Sequence, residues 1–388
     1  MTIAQPLRAL LLGLTVLSVA GVSACSSKVK LREPAKLKDI ESPRLKLASA
    51  WTHSIGAGAN GRPSGLRPLL EADALYAANV DGEVYALDPV SGKELWRAKT
   101  KARVISGPSV VGDLVLVGTL DAEVIALKRA DGSPRWRGAA SSEVLAPPAG
   151  DGEVVVVRSI DGRAYGLSVA DGKRLWSFDR TEPNLTLRGL SAPLVDGNRV
   201  LLGMDNGRLV AVRLNDGQPI WEQPVSTPSG RTELERLTDI DAALVPTQDG
   251  VLVASYGGDV SLIEPGDGES RWRRAIKSHA GVAIGAGNAY VSDADGIVWG
   301  LDLASGAAAW KNDSLQYRRL SPPAFFAGHV VVADFEGYVH FLDPKDGSLV
   351  ARTRAGSDPV LAPPVASEDR LYLQSVDGRL SALTAKPR

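Results

Sequence analysis

Short runs in which apolar and polar residues alternate return many times after residue 80. The run at 81–88 reads DGEVYALD and is followed at 91–96 by SGKELW, and residues 161–168 and 171–176 repeat both halves as DGRAYGLS and DGKRLW. Asp-Gly steps supply the positive φ of tight hairpin turns, and an alternation with a period of two is that of a β-strand. This repeated motif therefore predicts a hairpin followed by a third strand.

Two features of this motif, the hairpin turn and the third strand, recur through the chain at intervals of about 40 residues. The hairpin turn recurs at Asp81, Asp121, Asp161, Asn206, Gly257, Asp295, Glu336 and Asp377. The third strand recurs at Trp51, Trp96, Trp136, Trp176, Trp221, Trp272, Trp310 and finally Ala351, where the ring is missing. A period near 40 with about four short strands per copy is typical of propeller blades. The sequence thus predicts an all-β fold, an eight-bladed β-propeller of four-stranded antiparallel blades.

The two series are offset, and the offset predicts how the ring closes. Trp51 stands before the first hairpin, whereas the chain reaches Arg388 without a third strand after Asp377. The first copy therefore lacks its hairpin, and the last copy lacks its outer strand. We expect the N-terminal strand at 48–55 to pair with the C-terminal strand at 379–383 in one composite blade, which hides two open sheet edges.

Composition adds little to this interpretation, with one exception. The 44 Lys and Arg nearly balance the 45 Asp and Glu, so charge gives no reason to expect a nucleic-acid partner. The 40 Gly and 24 Pro suit a fold with many tight turns. The exception is the single cysteine, which excludes an intrachain disulfide and lies close to the N-terminus.

The residues around that cysteine, Cys25, have the pattern of an export signal. Arg8 precedes an apolar run at 9–20 that is too short to span a bilayer, and the tripeptide VSA leads into Cys25. This spacing is similar to the bacterial lipobox, in which the thiol is acylated after cleavage. A serine after the cysteine is similar to lipoproteins sorted to the outer membrane. The alternative is an unused thiol in a signal that is cleaved slightly later.

We therefore predict three segments. Residues 1–24 form a lipoprotein signal peptide, residues 25–46 a lipidated cysteine with a flexible tether, and residues 47–388 the propeller. The tether prediction depends on seven Lys or Arg, three acids and two Pro without apolar periodicity between residues 26 and 46. The lipid anchor would hold the protein at the outer membrane, facing the periplasm.

The chain has no motif of known catalytic or cofactor chemistry. Its four His lack metal-ligand spacing, and it contains no G-x-S-x-G nucleophile turn, phosphate loop or dinucleotide fingerprint. The repeated Trp could form a stacking surface for a flat ligand, but their spread around a ring favours packing between blades. We therefore predict no catalytic residue, no metal and no cofactor, and expect a binding platform.

The repeat is similar to the pyrroloquinoline-quinone-type propeller repeat, which two families share. Quinone-dependent alcohol and glucose dehydrogenases hold their cofactor with calcium on the propeller axis. Those of the alcohol group stack the quinone on a disulfide between adjacent cysteines, which a single cysteine cannot form, and they are much longer than this chain. The chain more closely resembles the BamB family, lipoproteins of the bacterial β-barrel assembly machinery. A quinone-dependent dehydrogenase is the alternative, and a glycan-binding or glycan-cleaving propeller, which needs paired carboxylates on one axial face, is a third.

Two stretches carry the resemblance to the BamB family, and both fall where the repeat is longer than average. Residues 185–193 read LTLRGLSAP, similar to the family's L-x-L-R-G-x-S-A-P, and residues 232–241 read TELERLTDID, similar to its T-E-[IL]-x-R-L-x-D-x-D. In the family these loops bind the periplasmic POTRA domains of BamA, the barrel insertase. The resemblance implies five partner-binding residues, Leu185, Leu187, Arg188, Asp239 and Asp241.

The residues themselves leave two uses of Arg188 open. Its guanidinium can pair with an acidic partner, or with Asp239 or Asp241 inside the protein, where it would brace two loops. Exposed Leu185 and Leu187 beside these charges would suit a contact site. We also expect contacts with other members of the assembly machinery and, at open blade edges, with unfolded outer-membrane proteins by strand addition.

Overall fold

The computed structural model describes residues 32–58, 64–180, 185–186, 191–228, 231–278 and 280–388. These residues form 33 β-strands, grouped into eight sheets, and one short 3-10 helix, Leu234–Arg236. Within these ranges, no helix has the length and apolarity that a membrane crossing requires. The predicted signal peptide and Cys25 lie outside the described residues, so both stay predictions.

Blades 1 to 4 follow one another along the chain, and each contains four consecutive antiparallel strands. Blade 1 contains β3 (Leu69–Leu70), β4 (Leu75–Ala78), β5 (Glu83–Leu87) and β6 (Glu94–Lys99). Blade 2 contains β7 (Val104–Val111), β8 (Leu114–Thr119), β9 (Glu123–Lys128) and β10 (Pro134–Ala139). Blade 3 contains β11 (Ala149–Gly150), β12 (Val154–Arg158), β13 (Ala164–Ser168) and β14 (Arg174–Phe178). Blade 4 contains β15 (Leu194–Asp196), β16 (Arg199–Gly203), β17 (Arg208–Arg213) and β18 (Pro219–Pro224).

Blades 5 to 8 continue the series, and the eighth takes its outer strand from the N-terminal part of the chain. Blade 5 contains β19 (Val245–Thr247), β20 (Gly250–Ala254), β21 (Val260–Ile263) and β22 (Ser270–Arg274). Blade 6 contains β23 (Gly281–Gly285), β24 (Asn288–Ser292), β25 (Val298–Asp302) and β26 (Ala308–Asn312). Blade 7 contains β27 (Ala324–Phe326), β28 (His329–Ala333), β29 (Tyr338–Leu342) and β30 (Leu349–Arg354). Blade 8 contains β31 (Val365–Ala366), β32 (Leu371–Gln374), β33 (Arg379–Pro387) and β1 (Leu45–Ser54).

The composite blade confirms the closure that the two offset series predict. Strand β1 pairs antiparallel with β33, from Leu45 opposite Pro387 to Ser54 opposite Arg379. The pairing begins three residues earlier than the predicted strand at 48–55. Because both strands lie in one sheet, the two ends of the propeller are joined by backbone hydrogen bonds, and the ring has no open seam at this point.

Blade 2 differs from the predicted four-stranded pattern. A fifth strand, β2 (Gly65–Leu66), adds to β7 in parallel. Gly65 has no room for a side chain, since a Cβ would lie 2.0 Å from the carbonyl oxygen of Leu145 beside blade 3. The connection into blade 1 therefore passes blades 2 and 3 first. A two-residue parallel contact leaves no periodic trace in a sequence, which is why the repeat did not predict it.

The hydrophobic core of the described chain is divided into eight clusters, each of which joins two neighbouring blades. Val84 of blade 1, for example, packs in one cluster with Val115 of blade 2, and Tyr85 of blade 1 packs in another with Tyr372 of blade 8. Both faces of every sheet are thus covered by neighbouring sheets. This arrangement explains why most inner strands consist of fully buried apolar residues rather than alternating ones.

Each Trp of an outer strand packs on a glycine turn of the next blade, which is the packing role expected for it. The indole N–H of Trp136 donates to the carbonyl oxygen of Val169 at 2.7 Å. Gly172, with a φ of +72°, lies against the ring so closely that a Cβ would be 2.5 Å from Trp136 Cε3. The same pair of contacts recurs between Trp51 and Gly92, Trp96 and Gly132, Trp176 and Gly217, Trp221 and Gly268, Trp272 and Gly306, and Trp310 and Gly347.

Ala351 lacks the ring because the blade that it faces lacks the turn. In blade 8 the neighbouring strands β33 and β1 come from opposite ends of the chain, so no glycine turn connects them. Leu45 packs against Ala351 instead, and the N–H of Arg388 donates to the carbonyl oxygen of Arg44 at 3.0 Å. The single exception in the Trp series is therefore a consequence of the closure.

Residues 34–44, which we call the strap, lie along blade 7 before β1 begins. The N–H of Ala35 donates to the carbonyl oxygen of Gln316 at 2.9 Å, and the N–H of Arg44 donates to that of Val350 at 2.9 Å. Leu37 packs against the cluster between blades 6 and 7. This part of the segment that the sequence predicts as tether is thus in contact with the propeller.

Candidate partner-binding site

Two connections between neighbouring blades contain the residues that the sequence singles out. Leu185 lies between β14 of blade 3 and β15 of blade 4, and its side chain is 45% exposed. Leu187 and Arg188 of the same connection fall outside the described residues. Asp239 and Asp241 lie between β18 of blade 4 and β19 of blade 5. Leu185 and the two aspartates are therefore the predicted residues whose positions the structure gives.

The backbone around Asp239 and Asp241 is fixed by the residue between them. Ile240 is fully buried in the cluster between blades 4 and 5, and its N–H donates to the carbonyl oxygen of Met204 at 3.2 Å. Gly203 permits this approach, because a Cβ there would lie 2.5 Å from Ile240 Cγ2. Asp239 and Asp241 are the direct neighbours of Ile240 in the chain, so the burial of Ile240 fixes the position of both.

The two aspartates meet a third from the hairpin turn of blade 4. Carboxylate oxygens of Asp205, Asp239 and Asp241 all lie within 4.8 Å of one another. Asp205 is 1% exposed and forms an ion pair with Arg158 at the end of β12 in blade 3, which is 4% exposed. We call these four residues the carboxylate cluster. It joins three consecutive blades at one point, since its members come from blade 3, blade 4 and the connection to blade 5.

The carboxylate cluster is rich in negative charge for a buried position. Burial and the neighbouring Asp239 and Asp205 raise the pKa of Asp241 to about 8, against the lowering effect of Arg158. Asp241 therefore retains a proton at neutral pH. Oδ1 of Asp241 and Oδ2 of Asp205 are buried and accept no hydrogen bond from the described chain. Carboxylate oxygens arranged in this way suit a guanidinium or a hard divalent cation.

The connection that carries the aspartates also presents an apolar side chain. Its 3-10 helix is stabilised at the start by a reciprocal pair of bonds, in which the N–H of Glu235 donates to Thr232 Oγ1 at 3.2 Å and Glu235 Oε2 accepts from the N–H of Thr232 at 3.2 Å. Leu234 of this helix is 66% exposed, more than any other large apolar side chain in the described part of the protein. Leu234 lies in the segment 232–241 that resembles the family, but it is not among the five residues predicted for the site.

Arg158 and Asp205 were also missed, although the repeat contains a signal for both. At the position of Arg158 the other copies have mostly small residues, namely Ala78, Gly118, Gly203, Ala254, Ser292 and Ala333, with Gln374 as the other exception. At the position of Asp205 they have apolar residues, namely Val80, Leu120, Ile160, Tyr256, Ala294, Phe335 and Val376. Two opposite charges at deviating positions in consecutive blades indicate an ion pair between those blades.

Solved structures place this ring in a known class. The quinohemoprotein alcohol dehydrogenase of Comamonas testosteroni superposes with a TM-score of 0.69 at 12% identity, over 87% of this chain and 76% of that chain, and shares the fold alone. BamB from Moraxella catarrhalis superposes with a TM-score of 0.79 at 26% identity, over 87% of this chain and 100% of that chain. The protein is thus an eight-bladed propeller of the pyrroloquinoline-quinone-type repeat class.

Sequence comparison resolves the family within that class. A family profile described as "Outer membrane protein assembly factor BamB" matches residues 51–312 and 313–387. Proteins of that name are 51% identical in Alkalilimnicola ehrlichii (91% of this chain, 92% of theirs), 48% in Pseudomonas aeruginosa (96% and 98%) and 33% in Escherichia coli (96% and 97%). The chain belongs to the BamB family, which confirms the resemblance noted in its sequence.

Proposed function

We propose that the protein is a non-catalytic, lipid-anchored scaffold in outer-membrane protein assembly that binds the POTRA domains of BamA. The name that its relatives share supports the assembly role. The observation that carries the proposed site is the convergence of Asp239 and Asp241 in one buried cluster, while Leu185 is exposed on the preceding connection between blades. The remaining residues proposed for the site are Leu187 and Arg188.

The charge of the carboxylate cluster supports a role for Arg188. The acid groups of Asp205, Asp239 and Asp241 lie within 4.8 Å of one another, and burial with the two neighbouring acids keeps Asp241 protonated although Arg158 is ion-paired with Asp205. A further guanidinium in the cluster would therefore be favourable. Arg188 inside the protein would brace the connection that presents Leu185, whereas an arginine of the partner would bind the cluster directly. Both uses lead to a contact surface with an apolar centre and a charged border.

A matched pair of leucines tests the surface. Leu185 is 45% exposed in the proposed site, and Leu175 is 53% exposed on outer strand β14 of the same blade. We expect Leu185→Asp to lower the recovery of BamA from solubilised envelopes by affinity capture, while Leu175→Asp leaves recovery unchanged. Equal recovery with both variants would overturn the proposed site.

Arg188→Glu distinguishes the two uses of Arg188. If the guanidinium braces the loops, the variant loses both thermal stability and BamA recovery, since a fourth carboxylate enters the cluster. If Arg188 binds the partner, recovery falls while the melting temperature stays the same. Undiminished recovery with Arg188→Glu would remove this residue from the site.

The absence of catalysis is part of the proposal and has its own test. The dehydrogenases that share the fold use a quinone with calcium on the propeller axis. Adding pyrroloquinoline quinone and Ca²⁺ to the purified protein, together with alcohols and a redox dye, should leave the dye oxidised. Dye reduction above the rate without protein would overturn the scaffold proposal in favour of an enzyme.

Blade edges support a second binding activity, for unfolded outer-membrane proteins. Outer strands β6, β14 and β18 each end a sheet, and they expose Leu95, Leu175 and Ile220 directly before the Trp of each blade. A sheet edge with exposed aliphatic side chains can receive an added strand. We expect a peptide from an outer-membrane β-strand to protect the amide hydrogens of β14 from exchange. Unchanged exchange at saturating peptide would refute strand addition there.

A further inference from the structure

The strap is held to blade 7 by two arginine side chains that donate to its backbone. Arg318 Nη1 donates to the carbonyl oxygen of Ala35 at 3.1 Å, and Arg352 Nη1 donates to that of Lys38 at 3.0 Å. Together with the backbone bonds at Ala35 and Arg44, these contacts hold the strap at both ends and in the middle. The path of this segment is therefore set before the first strand begins.

Both arginines belong to a buried ionic network in blade 7. Arg318 Nε donates to Asp334 Oδ2 at 2.7 Å, His340 Nε2 lies 2.9 Å from the same oxygen, and Arg352 Nε donates to His340 Nδ1 at 3.2 Å. Burial lowers the pKa of His340, although Asp334 raises it. A neutral imidazole can accept from Arg352 and donate to Asp334, so every member has a partner. Moving either arginine would leave a buried charge or a buried nitrogen unpaired.

Fixing the strap shortens the chain that is available as a tether. Ten residues separate Ala35 from Cys25, and a chain of that length spans at most about 33–36 Å. A tether that continued to Lys46 would contain 21 residues and would span at most about 69–76 Å. The predicted tether therefore joins the propeller beside blade 7. Its maximum length is about half of what the sequence alone indicates.

Exposed side chains around the start of the strap carry an excess of positive charge. Besides Arg44, which is ion-paired with Asp343, four exposed cations lie on the strap, on the connection before blade 7 and at the end of its outer strand: Lys36, Lys38, Arg319 and Arg354. We call these four residues the blade 7 rim. The same segments contain three exposed acids, Asp39 and Glu41 on the strap and Asp313 on the connection, whereas Glu336 of the adjacent turn is ion-paired with Arg318, so the excess is one positive charge. Basic residues next to a membrane anchor attract anionic headgroups.

We propose that the blade 7 rim lies against the membrane surface, with anionic phospholipid headgroups as its partner, so that blade 3 lies farthest from the membrane. This proposal rests on the lipid anchor at Cys25 that is part of the proposed function. Blades 3 and 7 are four positions apart in a ring of eight and are therefore diametrically opposite. The candidate site around Arg158 and Asp205 is thus held on the far side of the ring from the anchor.

Two equivalent turn positions allow a direct test. Lys345 in blade 7 and Ala170 in blade 3 are both exposed and occupy the same position of the repeat, two residues before Gly347 and Gly172. Lys345→Cys and Ala170→Cys each introduce the only free thiol, because the single native cysteine is acylated in the anchored protein. The two variants are labelled with a fluorophore and reconstituted in phosphatidylcholine vesicles with phosphatidylglycerol and a headgroup quencher.

We expect stronger quenching at position 345 than at position 170, and a smaller difference when phosphatidylglycerol is omitted. Equal quenching, or stronger quenching at 170, would overturn the proposed orientation, and a difference that does not depend on phosphatidylglycerol would overturn the role of the headgroups. A Gly-Ser insertion of ten residues between Glu33 and Pro34 lengthens the tether without touching the strap. In vesicles without phosphatidylglycerol, it should abolish the difference.

A double variant tests the strap itself, with controls for folding and for the anchor. In the same vesicles without phosphatidylglycerol, Arg318→Gln combined with Arg352→Gln should also abolish the difference in quenching between positions 345 and 170. Circular dichroism shows whether this double variant folds. If it does not fold, the insertion gives the answer. Native protein that still reacts with a thiol reagent, and does not float with vesicles, would refute the anchor at Cys25. The proposed orientation fails if the protein floats and position 345 is not quenched more strongly than position 170.

Discussion

The contribution of the contact between a Trp ring and the glycine turn of the next blade to the stability of the propeller can be measured. Gly172 has a φ of +72°, and a Cβ there would lie 2.5 Å from Trp136 Cε3. Gly197 has a φ of +59° with nothing within 4 Å, and Gly152 has an ordinary φ with nothing within 4 Å. Alanine at position 172 therefore introduces backbone strain and a steric clash with the ring. At position 197 it introduces backbone strain alone, and at position 152 it introduces neither.

The expected costs follow from these contacts. Gly152→Ala should change the free energy of unfolding by less than about 0.5 kcal/mol, and Gly197→Ala should cost about 1–2 kcal/mol for a left-handed alanine. Gly172→Ala carries the same backbone cost and adds about 1–3 kcal/mol for displacing a packed ring. Urea unfolding followed by Trp fluorescence measures each value from the midpoint and the slope.

The double variant separates the ring contact from other causes. In a Trp136→Leu background the ring is gone, so Gly172→Ala should cost no more than Gly197→Ala does in the native protein. The reasoning would be refuted if Gly172→Ala and Gly197→Ala were equally destabilising in the native background. It would also be refuted if the removal of the ring left the cost of Gly172→Ala unchanged.

Three further predictions follow from the closure and from the carboxylate cluster. Deleting residues 46–55 removes most of β1, so the whole propeller should unfold at lower urea, and an unchanged midpoint would contradict the composite blade. Arg158→Ala leaves Asp205 with a buried, uncompensated charge and should cost about 3–5 kcal/mol, part of which the double variant with Asp205→Ala restores. The folded protein holds a proton on Asp241 up to about pH 8, whereas the unfolded chain loses it near 3.8, so this group stabilises the fold most below pH 3.8 and its contribution falls as pH rises towards 8. Asp241→Asn should therefore flatten the dependence of the urea midpoint on pH, and above pH 8 the midpoint of the variant should be higher than that of the native protein. Parallel pH profiles of the two proteins would contradict a raised pKa of Asp241.

The repeat predicted the blades because it reports local, periodic constraints. The turn at Asp81 and the outer-strand Trp96 recur in copy after copy, since every blade repeats the same hairpin and the same joint. Even the exception at Ala351 was visible, although its cause was not. That cause is the missing glycine turn of blade 8, whose outer strand comes from the other end of the chain and places Leu45 near Ala351.

The candidate site was less predictable because its residues are departures from the repeat. Asp239 and Asp241 were found through resemblance to a family, whereas Arg158 and Asp205 required a comparison of the eight copies position by position. The strap was missed for a different reason. Arg318 and Arg352 bind its backbone carbonyls, so a polar segment without apolar periodicity is held without any side-chain signature of its own.

The order of elements along the chain places the strap directly before the strand that closes the ring. The outer strand of the composite blade, β1, is the first strand of the propeller, and peeling it from β33 would open the ring. Any force on the chain before residue 34 acts on the strap before it reaches Leu45. Arg318 and Arg352 resist that force because they belong to a buried network, in which separating the paired charges costs free energy. In a ring closed by its N-terminal strand, contacts that hold the segment directly before that strand therefore also protect the closure.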